Sequence, residues 1–310
     1  MPESSSQHTN KITYVNGKRK VCRDRVIVEQ PLQIRLSFYG NSSEFGAKQI
    51  VSRIFSITMR TPGHDKQLIL GLLLSEGIIT SINDIEEIAI DTMTDETQTT
   101  SSVNHQKDDD KVDSHLHQEN TWEVRLTKGV SLNVATLERY QMTYSSCGLC
   151  GTTSLKSLEL KSPPPSPSTK SWLDAKRLGY WPAIMKEKQT LFNKTGGSHA
   201  AALFDQAGNL LDIKEDIGRH NAVDKVIGEL VKTNMNCQTD KQLALVVSSR
   251  VSFEIIQKTV MAGIGVLIAV GAVSNLAILA AKRFDLTLIG FTNEESFNLY
   301  HGEWRLYQTN

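Results

Sequence analysis

The chain has 310 residues, enough for two packed domains with separate cores. Lysine plus arginine and aspartate plus glutamate balance at 34 each, so no global basic field draws in nucleic acid, and no basic stripe with interleaved aromatics stands in its place. The start, Met1 to Asn10, is polar and lacks the apolar stretch of a secretory signal, which predicts a reducing cytoplasm and free thiols at the four cysteines.

Residues 1–26 are polar and basic (Lys18, Arg19, Lys20, Arg23) and read as a solvated tail. Leu32, Ile34, Leu36 and Phe38 alternate with Gln33, Arg35 and Ser37, the period of a half-buried strand, and Phe55, Ile57 and Met59 repeat it. The turn Arg60-Thr61-Pro62-Gly63-His64-Asp65 follows, with Asp65 placed to cap a helix that carries Leu68, Ile69, Leu72 and Leu73 and ends at Gly77. From 91 to 120 the chain is acidic and polar, and its composition predicts a disordered insertion. A metal reading of His105, His115 and His117 is weak in a segment of that character. Trp122 to Leu126 and Val130 to Val134 alternate as a hairpin, so 27–143 reads as a small α+β domain. The run Ser162-Pro163-Pro164-Pro165-Ser166-Pro167 can be neither helix nor central strand and reads as a linker.

After Leu191 the pattern changes. Ala200 to Asp205 and Leu210 to Ile213 flank Gln206-Ala207-Gly208-Asn209 as a hairpin, and Gly218-Arg219-His220-Asn221 leads into a helix with Ala222, Val223, Val226, Ile227 and Leu230 on one face. Leu243 to Val247, Val266 to Val270 and Leu286 to Phe291 read as buried strands, alternating with helices over Phe253 to Met261 and Leu276 to Lys282. Such alternation predicts an α/β domain over 144–310, with a parallel sheet and ligands at the carboxyl ends of its strands, at Ser248-Ser249-Arg250 and Thr292 to Ser296. Thr259 to Ala281 carries no charge and has the length of a membrane span, but Gly263, Gly265, Gly271, Ser274 and Asn275 cut it into a helix end, a strand and a new helix.

The chemistry centres on Tyr144-Ser145-Ser146-Cys147-Gly148-Leu149-Cys150-Gly151. Two thiols two residues apart, set among small residues before a run that can open a helix, favour thiolate, because helix-start N–H groups lower a thiol pKa from its free value of about 8.5. Cys-x-x-Cys alone leaves half a zinc site, a redox pair and a sulfur carrier open. Cys22 and Cys237 stand singly, so no second pair closes a zinc tetrahedron, and the Gly-Leu spacer lacks the Trp and Pro of thioredoxin-like exchange. A second constellation is Gly196-Gly197-Ser198-His199 with Glu215 to Lys225, where a strand-to-helix junction holding Arg219, His220 and Asn221 reads either as a phosphate or thiol-activating site or as a plain helix cap.

Five separated motifs, in order, carry a resemblance. The Thr61-Pro62-Gly63 turn with its Leu-rich helix ending Ser75-Glu76-Gly77, the Ser145 to Gly151 pair, Thr195-Gly196-Gly197 before His199-Ala200-Ala201, Asp216 to Lys225, and Arg250-Val251-Ser252-Phe253 resemble the FdhD/NarQ family. The last strands, Leu286 to Phe291 and Phe297 to Tyr300, are similar to it as well, and the likeness spans about 27 to 306. The resemblance implies a cytidine-deaminase-like α/β domain beginning with the Cys-x-x-Cys segment, beside the smaller α+β domain. It also implies a cytoplasmic, homodimeric sulfur carrier required for formate dehydrogenase activity. A cysteine desulfurase would pass persulfide sulfur to the pair, which delivers it to the molybdenum bis(molybdopterin guanine dinucleotide) cofactor before insertion into the dehydrogenase. By position, Cys147 is the persulfide carrier, Cys150 its partner, and Phe291, Thr292, Asn293, Glu294, Glu295 and Ser296 the cofactor loop, with His199, Arg219, His220 and Arg250 in support.

The family often carries an Arg- or Gly-rich loop where this chain has Thr292-Asn293-Glu294-Glu295, and two glutamates repel an anionic dinucleotide unless they point away or backbone N–H groups make the contact. A zinc deaminase is disfavoured, since His199 is followed by alanines rather than x-Glu and the cysteine pair precedes it. A cofactor-binding chaperone that moves no sulfur and a Cys-x-x-Cys redox protein remain the alternatives.

Overall fold

The computed structural model of the chain describes residues 4–40, 50–91, 120–130, 171–235 and 242–307. Cys147, Cys150, Cys237, the proline run, residues 131–134 of the expected hairpin and all of the acidic insertion except Asp91 and Asn120 lie outside them.

The first strands come from a stretch expected as a tail. Strands β1 (Ser6–Val15) and β2 (Lys18–Ile27) pair antiparallel in unbroken register from Ser6↔Ile27 to Val15↔Lys18. Their two-residue loop, Asn16-Gly17, has positive φ at both positions (49° and 75°), as a turn matching the right-handed strand twist requires. The turn dipeptide was the available signal, masked because the strands bury almost nothing: Ile12 and Val21 face each other at 52% and 57% exposure.

Two compact units divide the chain, one comprising Gln30–Met59 and Asn83–Leu158, the other Met1–Glu29, Arg60–Ile82 and Glu159–Asn310. The division differs from 1–26, 27–143 and 144–310, because the hairpin and the Thr61 turn with its helix pack with the second half of the chain. In the smaller unit β3 (Gln30–Tyr39), β4 (Ile50–Arg60), β5 (Ile85–Ile90) and β6 (Thr121–Leu126) form a sheet of order β4-β3-β6-β5. Strand β6 runs parallel to β3 and antiparallel to β5. Leu32, Ile34, Leu36, Val124 and Leu126 are fully buried, as their alternation predicts. Strand β4 departs from its expected period: Phe55 and its neighbour Ser56 are both buried, while Ile57 and Met59 are about half exposed.

In the larger unit helix α1 (Asp65–Ser75) starts differently from the expectation too. His64 occupies the cap position in a left-handed conformation (φ 61°), and Asp65 instead grips the fully buried Arg60 through Nε–Oδ1 and Nη2–Oδ2 bonds of 2.9 and 3.0 Å. Gly77 (φ 67°) ends the helix, with its N–H and that of Ile78 closing on Leu74 and Leu73 carbonyls.

The main sheet has the order β13-β12-β11-β10-β8-β9, built from β8 (His199–Asp205), β9 (Leu210–Asp216), β10 (Leu243–Val247), β11 (Val266–Ala269), β12 (Thr287–Gly290) and β13 (Asn298–His301). Only β10, β11 and β12 are mutually parallel; β8, β9 and β13 pair antiparallel, so the sheet is mixed where a parallel one was expected. The reason is connection length. The four-residue turn after β8 and the short loop after β12 permit only antiparallel return, whereas helices α5 (Phe253–Met261) and α6 (Asn275–Arg283) supply the crossovers between the parallel strands. Before β8 come one helical turn (Ala175–Leu178), α2 (Trp181–Lys188) and α3 (Thr190–Thr195); α4 (Arg219–Lys232) follows β9. Two short strands, β7 (Leu173–Asp174) and β14 (Leu306–Tyr307), pair parallel at the unit's edge. Trp181 and Met185 of α2 pack with Ala200, Ala202, Phe204, Val246 and Ile268, and the Trp181 and Phe204 rings stack at 5.0 Å. The uncharged Thr259 to Ala281 segment is the end of α5, β11 and the start of α6, and no described helix is long and apolar enough to cross a membrane. The fold is therefore mixed α/β.

Candidate functional site

At the β9–α4 junction the Asp216 to Lys225 motif proves to be a buried brace. Asp216, fully buried, lies 2.7 Å from the equally buried Lys225 ammonium. Its Oδ1 accepts from the Gly218 N–H and the Asn221 amide, and its Oδ2 from the Thr61 N–H. Lys225 donates to the Thr61 carbonyl at 2.8 Å, and the Ile217 N–H donates to the Thr61 hydroxyl. The N–H, carbonyl and hydroxyl of Thr61 are thereby all fixed to the β9–α4 junction and α4. A second buried pair, Asp224 with Lys258 at 2.8 Å, also takes the Ser75 hydroxyl; burial pushes the Asp224 carboxyl up, opposed by Lys258.

Glu215, next to the brace, spends its carboxylate on the Leu191 and Phe192 N–H groups at the start of α3 and on the Ser198 hydroxyl at 2.8 Å. That fixes the loop Gly196-Gly197-Ser198, in which Gly196 adopts φ 66°, and sets His199 at the head of β8. The loop after β12 is pinned from the opposite side. Phe291 (φ 54°) and Thr292 donate their N–H groups to the Gly271 and Ala269 carbonyls, and the Asn293 side chain accepts from the Glu295 and Ser296 N–H groups. A side chain at Gly179 would come within 2.8 Å of the Asn293 carbonyl, so glycine there lets the two segments close.

Between these loops lies a cavity of about 530 Å³. Its wall contains Ser248 and Val270, the residues that follow β10 and β11, and Thr292, two residues past the end of β12. The carboxyl ends of the parallel strands thus open onto a cavity of small-molecule size, as the fold rule predicts. Pro182, Met185 and Phe192 are among its apolar lining, and Lys186, Gln189, Ser198, His199, Asn293 and Glu294 among its polar lining.

Of the residues singled out in sequence, His199, Thr292, Asn293 and Glu294 line this cavity. Phe291, Glu295 and Ser296, exposed like Asn293 and Glu294, lie outside its wall. Arg219, His220 and Arg250 are not in the wall either, yet they surround His199 electrostatically. Burial holds the His199 imidazole below its ordinary pKa of 6.5, and Arg219, His220 and Arg250 lower it further while Asp216 opposes them. His220 meets Glu254 at 3.0 Å, tying the first turn of α4 to the first turn of α5, and this contact holds the Glu254 carboxyl below its usual range against the effect of burial. Cys147 and Cys150 lie outside the described residues. Among the described residues no three metal-ligating side chains come together. The residues missed in sequence are the apolar wall from α2 and α3, whose one trace was Phe192, partly exposed on a short helix.

The model of the FdhD/NarQ family matches residues 47–307. Among curated proteins, sulfur carrier protein FdhD of Streptomyces avermitilis is 37% identical, covering 94% of this chain and 96% of that protein. The protein of the same name from Nocardia farcinica is 38% identical over 94% and 95%, and that from Saccharolobus solfataricus 37% over 92% and 91%. A crystal structure from Desulfotalea psychrophila, provisionally described as a formate dehydrogenase accessory protein, superposes with a TM-score of 0.69 at 19% identity, over 98% of this chain and 100% of that one. At that identity the likeness carries the fold.

Proposed function

The chain belongs to the FdhD/NarQ family, and on that premise we propose that it is a sulfur carrier in the maturation of formate dehydrogenase. It takes sulfur from a cysteine desulfurase and hands it to the molybdenum bis(molybdopterin guanine dinucleotide) cofactor, its substrate, before that cofactor enters the dehydrogenase. The observation that carries this reading is the breadth of the family match: 47–307 includes both Cys147 and Cys150 and the cavity wall from Pro182 to Glu294. Relatives named as sulfur carriers, more than a third identical over nearly their whole length, support it.

The chemistry asks little of the protein beyond a thiolate. Cys147 attacks the outer sulfur of the donor persulfide; a sulfur–sulfur bond forms to Cys147, the donor's own sulfur–sulfur bond breaks, and the donor cysteine leaves as thiolate. No oxidant or reductant enters this exchange. Cys150 serves as the partner thiol, either attacking the Cys147 persulfide to release hydrosulfide, with a cellular thiol then reducing the resulting disulfide, or tuning its neighbour. The cavity, whose lining mixes apolar side chains with polar ones including His199, suits one arm of the dinucleotide cargo. The protein works as a homodimer in this reading.

The test is maturation of formate dehydrogenase in a host whose own carrier gene is deleted. Cys147→Ala is expected to abolish dehydrogenase activity while cofactor still copurifies with the carrier. Full activity with Cys147→Ala would replace the carrier reading with that of a cofactor-holding chaperone.

A further inference from the structure

The β1–β2 hairpin lies ahead of the stretch that the family model matches. Its root rests against the rest of the unit, where a side chain at Gly197 would come within 3.0 Å of Ile27. Toward the turn it stands free: from Asn10 to Arg23 every residue except Thr13 and Cys22 is exposed.

Residues directly opposite each other in an antiparallel pair share a face, and the faces alternate along each strand. The register therefore sorts the charges. One face carries the pairs Tyr14↔Arg19, Ile12↔Val21 and Asn10↔Arg23, with Arg25 following toward the root, and the other carries Lys11, Lys18 and Lys20. Every arginine of the hairpin is thus on the first face and every lysine on the second. The hairpin's one acid, Asp24, is also on the second face, where it pairs with Lys11 at 2.8 Å. Tyr14, Arg19 and Arg23 make no side-chain hydrogen bond, ion pair or ring contact among the described residues.

This sorting matters because the two cations differ. A guanidinium grips a carboxylate with two parallel bonds and gives up its weak hydration readily, whereas an ammonium stays hydrated. Protein interfaces are accordingly enriched in Arg and Tyr, depleted in Lys, and apolar at their centre. The arginine face has that composition: the Ile12–Val21 pair lies between Arg19 and Arg23, and Tyr14, 68% exposed, stands at the tip. Phosphates of a nucleic acid or of an anionic lipid are held by lysine as well as by arginine, so they give no reason for the separation.

We propose that this face docks an acidic surface of a partner protein, with carboxylates on Arg19 and Arg23 and an apolar contact over Ile12, Tyr14 and Val21. From His8 to Tyr14, at about 3.4 Å per residue and two strands wide, the face offers roughly 200 Å², against about 800 Å² a side in a standard interface. It is therefore an anchor within a transient encounter, as suits a carrier and a protein with which it exchanges cargo. The assignment rests on the sulfur-carrier reading only for the two proteins to test, the cysteine desulfurase and formate dehydrogenase.

Biolayer interferometry of the full chain against each purified protein tests it, with the thermal midpoint of every variant confirming its fold. Arg19→Glu with Arg23→Glu is expected to weaken binding of one of the two proteins about 10- to 100-fold, the worth of charged hydrogen bonds across an interface. Lys18→Glu with Lys20→Glu makes the same change of charge on the opposite face and is expected to stay within about threefold of wild type. Tyr14→Ser is expected to weaken binding of the same protein that the arginine variant loses. Binding by wild type that survives in the folded arginine variant, or that falls equally in the lysine variant, overturns the docking face and leaves the carrier reading standing. Loss of a single-stranded RNA or of phosphatidylserine vesicles by the arginine variant, with both proteins still bound, reassigns the face to phosphates and overturns it too. Failure of wild type to bind either protein contradicts the carrier reading and the docking face together.

Discussion

Asp216 and Lys225 show how one pair of residues can look catalytic in sequence and be structural in the fold. An acid and a lysine nine residues apart around Arg, His and Asn resemble a reaction centre, but both are buried, 2.7 Å apart, and saturated with bonds to Thr61, Gly218 and Asn221. Removing Lys225 strands the buried Asp216 charge and leaves the Thr61 carbonyl without its donor. Lys225→Met is therefore expected to lower stability by about 3–5 kcal/mol in urea unfolding; a loss below about 1 kcal/mol would contradict the brace. Sequence could not separate these roles, because the discriminating partner, Thr61, lies far away in the chain and belongs to a turn that contributes its main-chain groups.

At the scale of elements, periodicity served best where one face is buried and failed where none is or all are. Strands β3 and β6 contain the runs Leu32 to Phe38 and Trp122 to Leu126, whose alternating apolar side chains are buried. The β1–β2 hairpin was invisible to the same logic because it contributes almost nothing to a core, leaving Asn16-Gly17 as its sole mark. Helix α1 poses the opposite problem. Leu68 to Ser75 are all buried, so its sequence has no face to orient it. What sets its position is a pair of glycines. A side-chain carbon at Gly71 would lie 1.9 Å from the Asp224 carbonyl oxygen of α4, and one at Gly228 would lie 1.8 Å from that of Gln67 in α1. The two backbones touch at these points, and the obstacle is main chain, which cannot rotate aside. Gly228→Ala is expected to cost about 1–3 kcal/mol or more through forced separation of the helices, well beyond the small gain its helix propensity offers. A thermal midpoint equal to or above wild type would contradict this crossing. The cavity's apolar wall was equally illegible in sequence, since α2 and α3 carry no motif and matter only through their place beside the strand ends.

For the molecule as a whole, the fold supplies a cavity at the carboxyl ends of three parallel strands, and the sequence supplies the thiol pair Cys147 and Cys150 within the family match. The account joins them as two ends of one delivery: sulfur held on Cys147, cargo held in the cavity. Its central claim is that Cys147 carries sulfur. Intact-protein mass spectrometry without reductant, after incubation with an active cysteine desulfurase and cysteine, measures this directly on wild type, Cys147→Ala and Cys150→Ala. The account predicts a gain of one sulfur atom on wild type and on Cys150→Ala that reductant removes, and no gain on Cys147→Ala. Absence of the gain on wild type, or its persistence in Cys147→Ala, would contradict it.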